Sequence, residues 1–546
     1  MKGQRHLWVF LGLMGLGLIL ALVAFFWRSS PLSTRLDPLP QDAYIQVYMN
    51  QNQAKGADYT DGYRNIERPG DDLEQITIDG INAAQTQIDL AVQELRLPKV
   101  AQALANRHQA GVKVRVILEN TYSRSYSTFT EAEVAQLDAR EKERYDEYRA
   151  FVDLNQDSQL SPAELNQRDA LIILKNAGIP VIDDTADGSK GSGLMHHKLA
   201  IVDGVTVLTG SVNLTLSGTH GDIIAPETRG NANNLLRIQS PQIAQIFTQE
   251  FNYMWGDGPG GKPDSLFGLG KPPRNPQTLQ LGKSTVTIQF SPISPTQPWS
   301  RSSNGLIGQT LSQAVNSVDL ALFVFSEQPI VDILGTRQQQ GVEVKALIDP
   351  SFAFRDYSEG LDMLGVALAI NCQYETDNQP WQNPVTSVGI PQLIPGDKLH
   401  HKFGVIDQNT VITGSHNWSA AANHNNDETL IVIRNPVVTA HFQREFERLY
   451  EKAALGLPPS IQDKIAQTSQ TCPEVATPTT PNPSQVINVN TATQAQLETL
   501  PGVGPKLAQS IITTRQQQPF TSLEDLQRVP GIGPKLSQSL RDRVSW

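Results

Sequence analysis

The sequence predicts an α/β protein of two related lobes with mixed sheets, packed about a pseudo-twofold axis, with an N-terminal membrane helix and a small all-α module at the C terminus. Three observations support this prediction. A block in the middle of the chain occurs twice, an uncharged apolar run lies near its start, and a shorter duplication ends it. With 546 residues, the chain is also too long for one hydrophobic core. We therefore expect several domains.

An apolar run without charged residues covers residues 7–27. A helix of that length spans about 31 Å, which matches the hydrocarbon core of a bilayer. A cleaved signal peptide has a shorter apolar region that ends in small residues, whereas this run ends Phe25-Phe26-Trp27-Arg28. The sequence therefore favours an uncleaved transmembrane anchor over a signal peptide.

Charged residues around this run indicate its orientation. Lys2 and Arg5 precede it, which favours a cytoplasmic N terminus, although Arg28 and Arg35 nearly balance them. The rest of the chain is then expected on the non-cytoplasmic side of a cell membrane, and we expect a bacterial source. Two cysteines exclude a disulfide scaffold, and the sequence leaves open whether they pair.

The internal duplication defines the two lobes. LAVQEL at Leu90 and GVKVRVILEN at Gly111 recur 230 residues later, the block MHHKLAIVDGVTVLTG recurs at 204, and FTQEF recurs as FQREF at 195. Each copy has the pattern of a helix, an apolar β run, a helix and two strands with a tight turn, which predicts an α/β lobe. We expect lobes at 70–255 and 278–455, joined by a Gly- and Pro-rich connection at 256–277 that runs over the surface.

Both copies contain the pattern H-x-K-x4-D-x6-G-S-x-N. Alternate residues of a strand face the same side, so each His and Lys pair should project into one cleft. One imidazole can then attack phosphorus while the other protonates the leaving oxygen, and the lysines and asparagines can hold the non-bridging oxygens. The predicted catalytic residues of the two motifs are His196, Lys198, Asp203, Ser211, Asn213, His400, Lys402, Asp407, Ser415 and Asn417.

These paired motifs resemble those of the phospholipase D superfamily, and the resemblance covers about residues 70 to 455. It implies phosphodiester transfer in two steps through a phosphohistidine, with no cofactor for catalysis. In members of the family whose nucleophile lies in the first motif, the matching residues are His196 as nucleophile and His400 as general acid, and the sequence leaves open which histidine attacks. Glu428 is placed like a carboxylate that orients a catalytic histidine in that family, while Asn233 takes the equivalent position in the first lobe.

Two further pairs in the motifs have a structural alternative. Asp203 and Asp407 are as consistent with bracing the strand–turn–strand unit as with touching substrate. His197 and His401 occupy the variable position of the motif, and strand alternation predicts that they face away from the cleft in a packing role.

An insertion in the first lobe, at about 131–168, has no counterpart in the second. It contains a charge-rich helical run followed by DLNQDSQLSPAE, which resembles an EF-hand or dockerin-type loop with Ser158 where glycine is usual. The resemblance implies a structural Ca²⁺ rather than a polar helix-capping loop. The predicted metal ligands are Asp153, Asn155, Asp157, Gln159, Ser161 and Glu164.

The C-terminal part contains a Pro/Thr/Ser-rich linker at 456–485 and a module at 486–546 in which PGxGPKL occurs twice. The module resembles a tandem helix-hairpin-helix domain, which grips DNA backbone without reading sequence; a protein-docking helical pair is the alternative. It has a net charge of +2, against -13 for the remainder. The predicted DNA-binding residues are Gly502, Gly504, Lys506, Gly531, Gly533 and Lys535.

Together these features predict a membrane-anchored phosphodiesterase, and the C-terminal module favours DNA as its substrate and partner. With a net charge of -11, contact with nucleic acid has to be local. A phospholipase D or cardiolipin synthase-type phosphatidyl transferase is the alternative, with phospholipid as substrate. A DNA-binding uptake protein without activity is the second alternative, but neither motif has lost a polar residue.

Overall fold

The computed structural model describes residues 35–189, 191–375 and 378–472, and in the C-terminal module 487–498, 500, 503–523, 525–533, 536–537, 540 and 544–546. The predicted membrane helix at 7–27 lies outside these residues. Within the described part of the chain, no helix is both long and apolar enough to cross a bilayer.

The first lobe is an α/β unit around a mixed sheet. Its strands are β1 (Ile45–Met49), β2 (Asp58–Thr60), β3 (Glu67–Pro69), β4 (Gln87–Val92), β5 (Lys113–Leu118), β6 (Val181–Asp183), β7 (Lys198–Val202), β8 (Thr206–Gly210) and β9 (Asn234–Gln239). Seven of them form a sheet in the order β1-β9-β8-β7-β4-β5-β6. Strands β4, β5 and β6 are parallel and the other neighbours antiparallel, so the mixed sheet predicted from sequence is confirmed.

Helices of the first lobe connect these strands. They are α1 (Leu73–Asn82), α2 (Pro98–Gln109), α3 (Glu131–Ala135), α4 (Ala139–Val152), α5 (Pro162–Arg168), α6 (Ala170–Asn176), α7 (Leu216–Thr219) and α8 (Pro241–Trp255). Helix α1 begins after Asp72, whose carboxylate accepts a hydrogen bond from Gln75 N as an N-cap. Helices α3, α4 and α5 form the insertion, as its charge-rich helical pattern predicts.

The second lobe repeats the plan with a nine-stranded sheet. Its strands are β10 (Gln277–Leu281), β11 (Ser284–Phe290), β12 (Ser317–Leu322), β13 (Phe325–Ser326), β14 (Glu343–Ile348), β15 (Val388–Ile390), β16 (Lys402–Ile406), β17 (Thr410–Gly414), β18 (Trp418–Ser419), β19 (Thr429–Arg434) and β20 (Ala454–Leu455). The sheet order is β10-β11-β19-β17-β16-β12-β14-β15-β20. The helices are α9 (Ser303–Leu311), α10 (Gln328–Gln339), α11 (Glu359–Met363), α12 (Ala420–His424), α13 (Pro436–Tyr450) and α14 (Pro459–Thr471).

The two lobes meet through symmetry-related contacts. Met195 of the first lobe forms a β-bridge with Asp427 of the second, and Ala232 of the first forms one with Leu399 of the second. By the displacements of the duplication, these are the same contact made twice with the lobes exchanged. One apolar core contains residues of both lobes, among them Phe247 of α8 and Phe442 of α13. This reciprocity agrees with the predicted pseudo-twofold axis.

The domain organisation differs from the prediction in three ways. The first lobe begins earlier than residue 70, because β1 pairs with β9 at the edge of its sheet. The inter-lobe connection is not confined to the surface, since Phe267 and Lys271 within it are buried. Helix α14 occupies part of the segment predicted to be a linker, and a disulfide between Cys372 and Cys472 joins its end to the second lobe, with the Cα atoms 5.5 Å apart.

The C-terminal module has its own apolar core of residues such as Leu497, Ile511 and Leu526. Its described helices are α15 (Gln494–Glu498) and α16 (Pro505–Gln517). The predicted all-α class needs one correction, because β21 (Ile487–Asn488) and β22 (Val544–Ser545) form a short parallel pair that joins the two ends of the module.

Candidate active site

The two His-Lys pairs lie at the starts of β7 and β16, where the lobes meet. His196 N donates a hydrogen bond to Asp427 O at 3.0 Å, and His400 N donates one to Ala232 O at 3.1 Å. Each motif is therefore held by backbone of the opposite lobe. Both histidines and both lysines are buried, and none of these four residues is more than 8% exposed. The structure thus brings the four predicted residues together in one enclosed cleft.

The first histidine of each motif is oriented by a side chain from the other lobe. His196 Nδ1 lies 2.7 Å from Glu428 Oε2, and His400 Nδ1 lies 2.9 Å from Asn233 Oδ1. Both acceptors are oxygens, so each Nδ1 carries the hydrogen and each Nε2 is the ring nitrogen left for chemistry. The sequence predicts an unequal pair of orienting residues, and the structure shows that they act crosswise.

The predicted serines support these orienting residues. Ser415 Oγ donates to Glu428 Oε2 at 2.6 Å, and Ser211 Oγ donates to Asn233 Oδ1 at 2.8 Å. They therefore lie one step behind the histidines. The Oδ1 atoms of Asn213 and Asn417 are buried without a hydrogen-bond partner in the protein. A side-chain amide with a buried polar atom that lacks a partner is suited to form a hydrogen bond with a polar substrate.

Burial shifts the charge state of the cleft. Desolvation lowers the pKa of Lys198 to about 7, and it lowers the pKa of Lys402 well below its usual value. Desolvation, followed by the charges of the two lysines, lowers the pKa of His196 and of His400 well below the usual value. Because each lysine acts on both histidines, the four side chains share one electrostatic environment. At neutral pH, a neutral His196 is in the form that a nucleophile requires.

The structure corrects the prediction that Asp203 and Asp407 are catalytic residues. Each follows its strand at the end remote from the histidine. The Asp203 carboxylate accepts hydrogen bonds from the backbone N–H groups of 85, 86 and 87, and Asp407 accepts the equivalent bonds from 315, 316 and 317. They brace the strand–turn–strand unit and do not face the cleft.

The neighbouring His197 and His401 face away from the cleft, as alternation predicts. His401 Nε2 lies 2.9 Å from Glu445 Oε1, and His197 Nε2 lies 3.5 Å from Glu250 Oε1. Sequence reasoning did not identify these glutamates. Their signal was the glutamate repeated inside FTQEF and FQREF, since a carboxylate in an apolar helix face needs a buried partner.

A buried cation joins the lobes next to the site. Lys271, in the inter-lobe connection, lies 2.6 Å from Asp427 Oδ1 and also contacts Glu250. Asp427 directly precedes Glu428, and its backbone oxygen holds His196. The connection therefore fixes the segment that holds and orients His196. The sequence offered no pattern for Lys271, because it lies in a Gly- and Pro-rich stretch without periodicity.

The predicted calcium loop lies between α4 and α5. Ser158 adopts φ 65°, the conformation that its position in such a loop demands. The oxygen donors are suited to calcium. In the structure, however, Glu164 accepts hydrogen bonds from Leu154 N and Ser161 N, and Asp153 accepts one from Ser158 N. Among the described residues, no three acidic, histidine or cysteine side chains converge as metal ligands.

The predicted DNA-binding glycines lie partly within the described residues. Gly504 is the N-cap of α16, a 13-residue helix that contains Lys506, and it is exposed. Gly531 adopts φ 103° and Gly533 is exposed. Gly502 and Lys535 lie outside the described residues. The N terminus of a helix of this length is a place where backbone N–H groups can bind phosphate.

Two lobes that each contribute one His-Lys pair to a shared cleft define the two-motif class of the phospholipase D superfamily. The chain matches the family described as the cardiolipin synthase, PLD-like domain over 77–255 and 307–450, which is more than half of its length. It therefore belongs to this phospholipase D-like family. Residues 482–545 match the helix-hairpin-helix motif, so the resemblances to the phospholipase D superfamily and to the helix-hairpin-helix domain are confirmed. The resemblance of the loop at 153–164 to an EF-hand stays a prediction.

Individual relatives match over shorter stretches. The mitochondrial cardiolipin hydrolase of Xenopus tropicalis is 29% identical over 172 residues, which are 32% of this chain and 56% of that protein. The Danio rerio protein of the same name is 40% identical over 144 residues, which are 26% and 54%. The chain thus spans about half the length of these relatives.

Solved structures are also similar. The phospholipase D family member Nuc of Salmonella typhimurium is 18% identical and covers 39% of this chain and 95% of its own, with a TM-score of 0.23. Phosphatidylserine synthase of Haemophilus influenzae Rd KW20 is 11% identical, and the match covers 80% of this chain and 95% of that protein, with a TM-score of 0.45.

Proposed function

We propose that the protein is a phosphodiesterase that hydrolyses DNA through a phosphohistidine, anchored in a cell membrane with its catalytic lobes on the non-cytoplasmic side. The crossed pairs His196–Glu428 and His400–Asn233 are the observation that carries the chemistry. A disulfide between Cys372 and Cys472 supports an oxidising compartment, since such bonds persist outside the reducing cytosol.

In the first step, His196 Nε2 attacks phosphorus and forms a P–N bond. The pKa of His400 is lowered in the free protein, so His400 takes up a proton on Nε2 when the anionic phosphodiester binds beside it and favours the charged ring. The P–O bond to the leaving group then breaks, and His400 gives this proton to the departing oxygen. Charge on the non-bridging oxygens is stabilised by the ammonium groups of Lys198 and Lys402 and by the amides of Asn213 and Asn417.

In the second step, a water molecule attacks the same phosphorus. His400, now neutral, accepts the proton of that water, and the P–N bond to His196 breaks. The Glu428 carboxylate stabilises the positive imidazole ring of the intermediate, whereas neutral Asn233 leaves His400 a readier proton donor. This difference in charge is the reason to assign His196 as nucleophile and His400 as acid and base.

DNA as the substrate rests on the C-terminal module. Its core, its exposed glycine turns and its positive net charge suit contact with the backbone of DNA. A phosphatidyl transferase or phospholipase is the second candidate, because the family description and the names of the relatives refer to cardiolipin.

Parallel incubation of the soluble fragment from residue 35 with DNA, RNA and cardiolipin vesicles tests this proposal. We expect cleavage of DNA, with His196→Ala and His400→Ala each inactive but folded. Release of phospholipid headgroup without cleavage of DNA would replace the nuclease proposal by the lipid one.

A further inference from the structure

Two phenylalanine rings border the cleft on the side of the second lobe. The Phe323 ring lies 4.9 Å from the His400 ring and 4.8 Å from the Phe352 ring, measured between centroids. Lys402 Nζ lies 4.8 Å from the centroid of the Phe323 ring. Both phenylalanines are partly exposed. We call this pair the aromatic shelf.

The first lobe lacks a matching shelf. The residue equivalent to Phe323 is Gln93, whose Oε1 accepts a hydrogen bond from Lys198 Nζ at 3.3 Å. The residue equivalent to Phe352 is Tyr122, whose hydroxyl accepts a hydrogen bond from Arg144 Nη1 at 3.3 Å. The cleft is therefore asymmetric next to its histidines, because a ring, Phe323, lies beside His400 where the first lobe has the amide of Gln93.

A groove of about 580 Å³ adjoins the shelf, and its lining includes residues 390–398. Pro350 in the groove is two residues from Phe352, and Lys398 in the groove is two residues from His400. Lys398 Nζ donates to Ser351 Oγ at 3.1 Å, which closes the border between groove and shelf. The groove thus lies next to the segments that carry Phe352 and His400.

The chemistry of this groove is mixed. Lys398 and Lys452 are exposed cations, while Ile394 and neighbouring prolines are apolar. The two carboxylates in the lining are held by backbone, since Asp349 accepts from Leu399 N and Asp397 from Gly230 N. Single-stranded nucleic acid combines flat apolar bases with anionic phosphates, which matches a surface of rings and cations. Along the uncharged acyl chain of a lipid, these lysines would have no anionic partner.

We propose that the aromatic shelf stacks an unpaired base next to the scissile phosphate, and that the groove accepts the following backbone, so that the protein prefers single-stranded DNA. A base in a duplex is stacked on its neighbours and cannot lie on a protein ring. This inference rests on the proposed nuclease function and specifies its substrate.

The test uses single-stranded oligonucleotides with one cleavable phosphodiester in an otherwise methylphosphonate backbone. One substrate carries every base, and two others lack the base on one side of the cleavable bond. We expect loss of one of these bases to lower kcat/KM of the wild type about 5- to 100-fold, as stacking energies per base imply. Duplex DNA should be cut more slowly than the single strand.

Variants then assign the effect to the shelf. Phe352→Leu and Phe323→Leu keep an apolar side chain but lose the ring, so each should be slower on the complete substrate and insensitive to the missing base. Phe352→Trp should restore sensitivity. Tyr122→Leu, the matched change in the first lobe, should discriminate as the wild type does. Melting temperatures of all variants show whether they fold.

The outcomes separate the two proposals. Two results would show that the shelf proposal is wrong while the nuclease proposal stands. In the first, the wild type cuts DNA but loss of the base lowers kcat/KM equally in the wild type and in Phe352→Leu. In the second, duplex and single-stranded DNA are cut at equal rates. If no DNA is cut and the cardiolipin of the vesicles is hydrolysed to phosphatidate and phosphatidylglycerol, the nuclease proposal itself is wrong.

Discussion

At the scale of single residues, charge on the orienting side chain distinguishes the two histidines. Glu428 contributes a carboxylate to His196, and Asn233 contributes a neutral oxygen to His400. The sequence identified both orienting positions from the displacement of the duplication. It did not show that they cross between lobes, because crossing depends on how the two sheets pack and not on any local pattern.

Glu428→Gln tests the role of this charge. Hydrogen bonds to charged groups contribute about 1.5–3 kcal/mol, so we expect kcat to fall by roughly 10- to 100-fold while the melting temperature changes little. Asn233→Asp is the matched change in the other lobe and should move the pH dependence attributed to His400 to higher pH. A Glu428→Gln enzyme with normal kcat would show that the carboxylate does not assist His196.

The lowered pKa of Lys198 predicts how kcat/KM depends on pH. Burial lowers its pKa to about 7, so its ammonium is present below that pH and is lost as the pH rises through it. We expect kcat/KM to fall above about pH 7, because a neutral amine stabilises phosphate oxygens poorly. Lys198→Arg, which stays charged, should lack the part of this alkaline decline that comes from Lys198, and the double variant with Lys402→Arg should lack the decline that both lysines cause, whatever the absolute rates. A wild-type profile that stays level to pH 9 would contradict this reading.

At the scale of elements, the sequence predicted the repeated strands and helices well, because apolar alternation and the duplication reinforced each other. It missed β1, which lies before the repeat, and α14, which has few large apolar residues. Helix α14 is tied to the second lobe by the Cys372–Cys472 disulfide. A bond between residues 100 apart in sequence leaves no local signal.

Reduction of this disulfide should loosen α14 without affecting catalysis. We expect dithiothreitol to increase hydrogen exchange of the amides of 459–471, while cleavage of a short substrate continues, because α14 lies outside the cleft. Cys372→Ser should show the same exchange with or without reductant. Unchanged exchange in reduced wild type would mean that packing alone holds the helix.

Calcium binding by the loop between α4 and α5 remains a prediction. Binding would require Asp153, Asp157 and Glu164 to release backbone N–H groups and turn towards an ion. Millimolar Ca²⁺ should then raise the melting temperature, and Asp157→Asn should reduce this shift. Glu133→Gln, which alters a carboxylate in the neighbouring capping box of α3, is the control and should retain the shift. The same shift in both variants would exclude this loop as the site.

At the scale of the whole molecule, the C-terminal module should determine how tightly long DNA is held. Removal of 486–546 should raise KM for long DNA severalfold and leave kcat/KM on a short phosphodiester unchanged, since the short substrate reaches only the cleft. Binding by the module should weaken with salt and not depend on sequence. Equal KM values for the two forms on long DNA would remove the module from substrate binding.

The duplication in the sequence predicted the architecture, and two copies of one motif predicted the composition of the site. The buried bridge through Lys271 and the aromatic shelf were not predicted. Both depend on contacts between segments far apart in the chain, such as Lys271 with Asp427, or Phe323 with Phe352. Such contacts are set by the packing of the lobes and leave no periodic pattern in either segment.

The central claim is that His196 forms the covalent bond to phosphorus while His400 moves the proton. A nucleotide phosphodiester with a 4-nitrophenolate leaving group tests it directly, because that group departs without a proton. We expect His400→Ala to release one equivalent of nitrophenolate and to retain the nucleotide on His196, identified by mass spectrometry of the quenched protein, whereas His196→Ala releases none. An adduct on His400, or a burst from His196→Ala, would contradict the assignment.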